Sequence, residues 1–272
     1  MRWALRCKYE AAKEVASFVK AFLAAIACLL ALLFPAHAGD APLRMGVEGA
    51  YPPFNFVDAA GKVQGFDVDI GEALCAQLER ECEWEVVPWD GLIPALQAGK
   101  FDVLMSSMTI TPERRRQILF TKPYYFSYGM MIANKGSGLA FTAESLKGHT
   151  VGVQAATTHE AWLRDHFGDT IELHAYPSSD DMFLDFQNGR LDAVFAEAPA
   201  MVPWMETNGG VNAYEQIGEN VTDPALGTEI GIAVRKDDTR LVGELNAALD
   251  AIIADKTFAN IAKRYFSFPL RP

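Results

Sequence analysis

The chain has 272 residues, a formal net charge of −11 and an apolar fraction of 50%. That apolar content can build real cores and excludes a disordered chain. The acidic balance opposes binding to nucleic acid or to anionic lipid.

The first segment reads as a leader. Arg2, Arg6, Lys8, Lys13 and Lys20 make it basic, and an apolar stretch follows from Ala21 to Phe34. Pro35-Ala36-His37-Ala38 then places small residues where a signal peptidase reads, so residues 1–38 are expected to be a signal peptide cleaved after Ala38. The alternative is an uncleaved anchor, for which the apolar run is short. Cys28 loosely matches a lipoprotein site, but the apolar stretch continues well past it. The leader carries five Lys/Arg and two Glu, which leaves 19 basic and 33 acidic residues in the remaining 234, a net −14. The expected address is the periplasm.

Strands and helices then alternate. Leu43 to Val47 reads as a buried strand, Asp67 to Glu79 as a helix and Trp84 to Val87 as a strand. Gly91 to Ala98 is helical, Phe101 to Met105 is a buried strand, and Thr111 to Ile118 begins another helix. Such alternation implies α/β units with largely parallel sheets. Beyond the leader only Cys75 and Cys82 remain, and in an oxidising compartment a disulfide is the natural reading, with two independent thiols as the alternative. Seven residues of continuous helix separate Cα atoms by about 10.5 Å, whereas a disulfide tolerates less than about 7 Å. A bridge therefore requires the helix to end before Cys82 and the chain to turn back.

An internal repeat organises the rest. Gln97-Ala98-Gly99-Lys100-Phe101-Asp102-Val103-Leu104-Met105 matches Gln187-Asn188-Gly189-Arg190-Leu191-Asp192-Ala193-Val194-Phe195, and Arg44-Met45-Gly46-Val47 matches Thr150-Val151-Gly152-Val153. Each long copy reads as a helix end, a Gly at the left-handed C′ position, a turn and an apolar strand. Two similar α/β lobes are implied, with chance similarity between two βαβ units as the alternative. Ligands of open parallel sheets bind beyond the carboxyl ends of strands. Those ends are Ser106-Ser107 and Ala196-Glu197 in one pair, Glu48 and Gln154 in the other. If the lobes face each other, these residues meet across one cleft.

Thr111-Pro112-Glu113 is a strong helix start, which puts Arg114 in the first turn, where a cation opposes the macrodipole. A bound carboxylate reverses that penalty and matches the guanidinium fork. The competing reading makes Arg114-Arg115-Arg116 a solvated face. Tyr51 and Trp89 sit at loop ends where aromatics can flank an aliphatic stem or a cation, although each alone reads as ordinary core. No Gly-x-Ser-x-Gly, Walker loop or His-Glu-x-x-His occurs, and no catalytic residue, cofactor or metal is expected. His159 and His166 read as solvated helix histidines rather than metal ligands.

Glu48-Gly49-Ala50-Tyr51-Pro52-Pro53-Phe54, Gly65-Phe66-Asp67-Val68-Asp69, Trp89-Asp90-Gly91-Leu92-Ile93-Pro94-Ala95-Leu96, Ser106-Ser107-Met108-Thr109-Ile110-Thr111-x-x-Arg114, Leu146-Lys147-Gly148-x-Thr150-Val151-Gly152-Val153 and Tyr265-Phe266 occur in this order. Together they resemble the polar amino-acid family of bacterial extracellular solute-binding proteins, nearest to the lysine/arginine/ornithine, histidine and opine binders. The resemblance implies a type II periplasmic binding protein fold, with two lobes, each a mostly parallel sheet flanked by helices, joined by a two-strand hinge. Lobe 1 is expected at 43–126 and 228–268, lobe 2 at 127–227, and the crossings near Tyr125–Gly129 and Pro224–Glu229. It implies that Arg114 grips a ligand α-carboxylate with Thr109, Thr157 and Thr158, and that Glu197 and Ser107 meet the α-ammonium. It implies further that Ser106 touches the ligand, that Tyr51 and Trp89 flank its side chain, that Glu48 reaches a distal cation, and that Asp67 stands behind. Cys75 and Cys82 fall where the basic-amino-acid subgroup carries a disulfide. Three departures stand out: Glu197 for the usual Asp, Ala156 for a frequent Gly, and Glu48 for the commoner Asp.

The implied function is a monomeric receptor that traps a free amino acid, basic or an opine, and hands it to a membrane ABC permease. Two rivals stand beside it. Some relatives on this fold are cyclohexadienyl dehydratases acting on prephenate or arogenate, for which Glu197 is the candidate acid. The other rival is a receptor sensor domain, disfavoured because the sequence reaches Pro272 without a spanning segment.

Overall fold

The computed structural model describes residues 41–270. The leader assigned to residues 1–38, with its cleavage site, lies outside them. Among the described residues no helix is long and apolar enough to cross a membrane.

The chain begins with β1 (Leu43–Val47), β2 (Ala50–Tyr51), β3 (Asn55–Val57) and β4 (Val63–Gln64), then α1 (Phe66–Gln77), β5 (Cys82–Val86) and α2 (Leu92–Gln97). β6 (Val103–Thr109), α3 (Pro112–Gln117) and β7 (Ile118–Phe126) complete the first pass. The second comprises β8 (Gly129–Asn134), α4 (Ala143–Leu146), β9 (Thr150–Gln154), α5 (Thr158–Phe167), β10 (Glu172–Tyr176), α6 (Ser179–Gln187), β11 (Ala193–Glu197), α7 (Ala198–Thr207) and β12 (Tyr214–Gln216). β13 (Glu229–Arg235), α8 (Thr239–Ala254) and α9 (Thr257–Ala262) return to the start.

Two five-stranded sheets result, ordered β5-β1-β6-β13-β7 and β10-β9-β11-β8-β12. The orders correspond strand for strand, so the repeat is a repeat of architecture. Gly99 and Gly189 both take left-handed φ, +72° and +70°. The following N–H of Lys100 and of Arg190 each reach back to close the helix, on Ala95 and Asp185. Gly46 and Gly152 occupy matching positions beside the repeated strands. A Cβ at Gly46 would lie 2.3 Å from the Phe101 ring, and one at Gly152 would lie 2.5 Å from Leu191. Phe101 and Leu191 are themselves equivalent, so each lobe packs an apolar side chain over a bare strand backbone.

The sheets are mostly parallel, as expected, with one reversed strand in each. β1 pairs in parallel with β5 and β6, and β9 with β10 and β11, but β13 and β8 are each antiparallel to both neighbours. These reversed strands are the ones that enter from the other lobe. β7 runs toward the crossing and β13 leaves it, so they oppose one another. At the crossings Phe126 pairs with Glu229, Ser127 N–H donates to Thr228, and Gly129 bridges Val221.

The first lobe's core is aromatic: Phe54, Phe66, Tyr124, Tyr125, Phe258 and Phe266 pack together beneath α8 and α9. The second lobe holds two smaller clusters, around Phe186 and around Phe195. α1 ends at Gln77, and Glu79 takes φ +54°, which turns the chain back. Cys75 and Cys82 thereby come to 5.9 Å between Cα atoms and form the disulfide.

Candidate functional site

The carboxyl ends of β1, β6, β9 and β11 converge on one cavity between the lobes, with about 470 Å³ not filled by protein atoms. All ten residues proposed from the sequence line it: Glu48, Tyr51, Trp89, Ser106, Ser107, Thr109, Arg114, Thr157, Thr158 and Glu197.

Arg114 is placed by the helix start read from the sequence. Thr111 caps α3, its Oγ1 accepting from the Arg114 N–H at 3.1 Å, with Pro112 at the first helical position. The guanidinium donates to Thr109 O at 2.9 Å and lies 5.3 Å from the centre of the Trp89 ring. Burial pulls Arg114 down to about 10, against the opposing pull of Glu197. Arg115 and Arg116 are exposed, so the solvated-face reading holds for them and fails for Arg114.

Glu197, from β11, is 7% exposed. It accepts from Tyr51 Oη at 3.1 Å and from Thr109 Oγ1 at 3.4 Å, both from the other lobe. Desolvation pushes it up to about 7, against the Tyr51 hydrogen bond and the Arg114 charge. Glu48 mirrors it at the end of β1. Its N–H donates to Ser106 Oγ at 3.0 Å, and its Oε1 accepts from Gln154 Nε2 at 2.5 Å across the cleft. Burial raises Glu48 to about 7 despite that bond. The expectation that Glu48 and Gln154 meet is thus realised directly.

Asp67 stands behind the cavity wall, fully buried. It accepts from Asn55 Nδ2, Ser107 Oγ and Tyr124 Oη at 2.7–2.9 Å. Desolvation raises it to about 6 in spite of those donors. Ser107 takes φ +50°, a left-handed backbone unusual for a residue with a side chain, inside β6 where its register with β13 shifts, so the network holds a constrained irregularity of the strand at the site.

Trp89 differs from the simple flanking role. Its Nε1–H donates to Ala156 O across the cleft at 3.1 Å, so it joins the lobes and backs Arg114. Ala156 takes φ +57°, a conformation that is costly for a residue with a side chain. Thr157 caps α5: its Oγ1 accepts from Glu160 N–H and donates to Gln154 O. Thr158 opens that helix at the cavity edge.

His159 corrects the sequence reading. It is 7% exposed, not solvated, and its ring meets Phe195 edge-on at 5.2 Å. It occupies the first turn of α5, on the face packed against the sheet. Burial and the Arg114 charge lower it to about 4, so it is neutral. His166 stacks on Trp162 instead, and no group of His, Cys, Asp or Glu among the described residues can hold a metal. Gln154, Ser179, Met182 and Phe195 also line the cavity without having been assigned to the site. Gln154 carried a signal, as the strand-end partner of Glu48. Ser179 and Met182 carried none, because α6 reaches the cavity only through lobe packing.

Residues 43–268 match the family of bacterial extracellular solute-binding proteins, family 3. The chain belongs to that family. The L-arginine-binding protein of Pseudomonas aeruginosa is 39% identical over 91% of this chain and 96% of its own length. The ABC transporter arginine-binding protein 1 of Escherichia coli is 38% identical over 88% of this chain and 96% of its own. A Salmonella typhimurium periplasmic binding protein, solved to explain its high arginine specificity, superimposes with a TM-score of 0.77 at 36% identity, covering 84% of this chain and all of that one. These relatives are binding proteins, not enzymes, and the dehydratase reading of Glu197 gains nothing from them.

Proposed function

We propose that this family member is a periplasmic receptor that traps an amino acid with a cationic side chain between its lobes and delivers it to an ABC permease. The observation that carries the reading is the split site. Arg114 comes from one lobe and Glu197 from the other, 83 residues apart in sequence, and both face one cavity that ends in Glu48. An α-carboxylate suits the Arg114 fork, an α-ammonium suits Glu197, and a distal cation suits Glu48. A ligand that bridges the lobes gains its full contacts only in the closed form and so favours closure.

In this reading lobe 1 comprises 43–126 and 228–268, lobe 2 comprises 127–227, and the two crossings act as the hinge. Residues 1–38 direct export and are removed, and the mature receptor is a monomer that meets its permease when closed. The arginine-binding relatives support the ligand class and the transporter partnership.

Titration calorimetry with arginine, lysine, ornithine, histidine and an opine, with glutamine and leucine as competitors, tests the class. Leucine outcompeting every cationic ligand would refute it. Arg114→Ala is expected to weaken binding by about 2–5 kcal/mol, since it leaves a buried carboxylate unpaired. Undiminished affinity would remove Arg114 from the site.

A further inference from the structure

Ser107 lines the cavity, yet both of its donors go to the wall behind it. Its Oγ–H donates to Asp67 Oδ2 at 2.9 Å, and its backbone N–H is a second donor to the same carboxylate. A serine brings one hydroxyl hydrogen and one N–H, so only acceptors of Ser107 are left for the cavity, the lone pairs of Oγ and its own carbonyl. The strand leaves room for this arrangement. β6 pairs with β1 at Val103 and Leu104, and with β13 at Val103, Leu104, Met108 and Thr109, so residues 105–107 have no partner in either register. The left-handed φ of +50° at Ser107 is costly for a residue with a side chain, and the two bonds to Asp67 hold it.

Asp67 is fixed in turn. Asn55 Nδ2 donates to its Oδ2 at 2.9 Å and Tyr124 Oη to its Oδ1 at 2.7 Å. The Asn55 amide is itself oriented, because its Oδ1 accepts from the Gly49 N–H at 2.9 Å. Asn55, Asp67, Ser107 and Tyr124 all belong to the first lobe, so this network does not depend on closure. Two residues along β6 from Ser107, Thr109 Oγ1 donates to Glu197 Oε1 at 3.4 Å, and the charge of Asp67 is among the causes that raise Glu197. Ser107 and Glu197 therefore border the same part of the cavity, and the Asp67 charge is felt there.

We propose that Asp67 is a positioning residue for the ligand α-ammonium. Without touching the ligand it holds Ser107 as a pure acceptor, so the first lobe presents fixed acceptors before Glu197 closes over them from the second. The inference rests on the amino-acid reading above and deepens it. An ammonium has only donors, and a Ser107 hydrogen turned to the cavity opposes it. An α-hydroxyl is both donor and acceptor and rotates to suit either polarity. The two kinds of ligand therefore respond differently when the network is altered.

The test exchanges two buried side chains, Asn55→Asp together with Asp67→Asn. The pair keeps its charge and its mutual hydrogen bond. The carboxylate at position 55 only accepts, so it draws the amide nitrogen of position 67 to the side that also faces Ser107, which turns the Ser107 hydroxyl hydrogen towards the cavity. Titration calorimetry uses L-arginine, L-lysine and the 2-hydroxy acid that matches each. The wild type is expected to prefer each amino acid to its hydroxy acid by at least about 100-fold, since a buried ammonium faces Glu197. In the exchanged variant that preference is expected to narrow by at least about tenfold, the worth of one hydrogen bond to a charged group, while hydroxy-acid affinity changes by less than about threefold. Asp67→Asn alone, whose single oxygen cannot serve Asn55 and both Ser107 donors, carries the same expectation should the exchange fail to fold, which thermal unfolding checks. A purely structural role weakens both kinds of ligand alike, so an unchanged preference in a folded variant overturns the inference while leaving amino-acid binding intact. A folded wild type that binds neither amino acid overturns the amino-acid reading itself.

Discussion

Replacing Glu197 by Gln should make the ligand-free protein more stable and the receptor nearly useless. Glu197 is buried with only neutral donors in hydrogen-bond contact, Tyr51 and Thr109, and Arg114 acting at longer range. Desolvation raises it from an ordinary 4.5 to about 7. A carboxyl whose folded value lies above its unfolded value binds its proton more tightly when folded. The stability this contributes is complete below about pH 4 and is lost as pH rises through 7. At pH 8 the charged form therefore burdens the closed, empty protein by about 3 kcal/mol at most. Opening of the lobes rehydrates the carboxylate and makes the measured figure smaller. Glu197→Gln keeps an oxygen for Tyr51 and removes the charge. For a domain of this size 1 kcal/mol corresponds to about 2–4 °C. Thermal unfolding at pH 8 is thus expected to rise by several degrees, up to about 10 °C, with no gain at pH 5, where wild-type Glu197 already holds its proton. Calorimetry on the same variant is expected to show amino-acid affinity reduced at least about 100-fold, since the α-ammonium loses its counter-charge. An equal gain at pH 5 and pH 8, or none at either, would refute the argument from desolvation.

Other perturbations probe separate parts of the structure. Trp89→Phe removes the hydrogen bond to Ala156 across the cleft and is expected to speed ligand dissociation several-fold in stopped flow, with little change in association. Ala156→Gly relieves the left-handed penalty and is expected to stabilise the protein by up to about 1 kcal/mol in urea unfolding, after the entropy that Gly adds to the unfolded chain. Reducing Cys75–Cys82, seven residues apart, is expected to cost about 2 kcal/mol in the same assay, the loop-closure entropy of a short loop.

The helix start at Thr111-Pro112, the turn at Gly99 and Gly189, and the burial of β1, β6, β9 and β11 were legible because each depends on neighbours in the chain. The repeat carried this further: equivalent local signals built two sheets with the same strand order, and so placed Glu48, Gln154 and Glu197 at strand ends, while β6 runs on through Ser106 and Ser107 to Thr109. The disulfide was legible together with its condition, and Glu79 meets that condition by reversing the chain. The direction of β8 and β13 was not legible, since strand patterning does not record which lobe a strand enters from.

The remainder belongs to tertiary structure. His159 has the spacing of a surface histidine, and only the docking of α5 onto the sheet buried it. Trp89 reads as a flanking aromatic, and only the approach of Ala156 gave its N–H a partner and set its ring beneath Arg114. The ionisation of Glu48, Asp67 and Glu197 is a property of the water excluded around them, which no residue order encodes. Sequence alone determined the parts that local backbone chemistry and periodicity specify, namely the elements, their caps and the identity of the groups at the strand ends. Tertiary structure decided how those groups pair and what charge they carry, because both depend on two lobes closing over the same few ångströms.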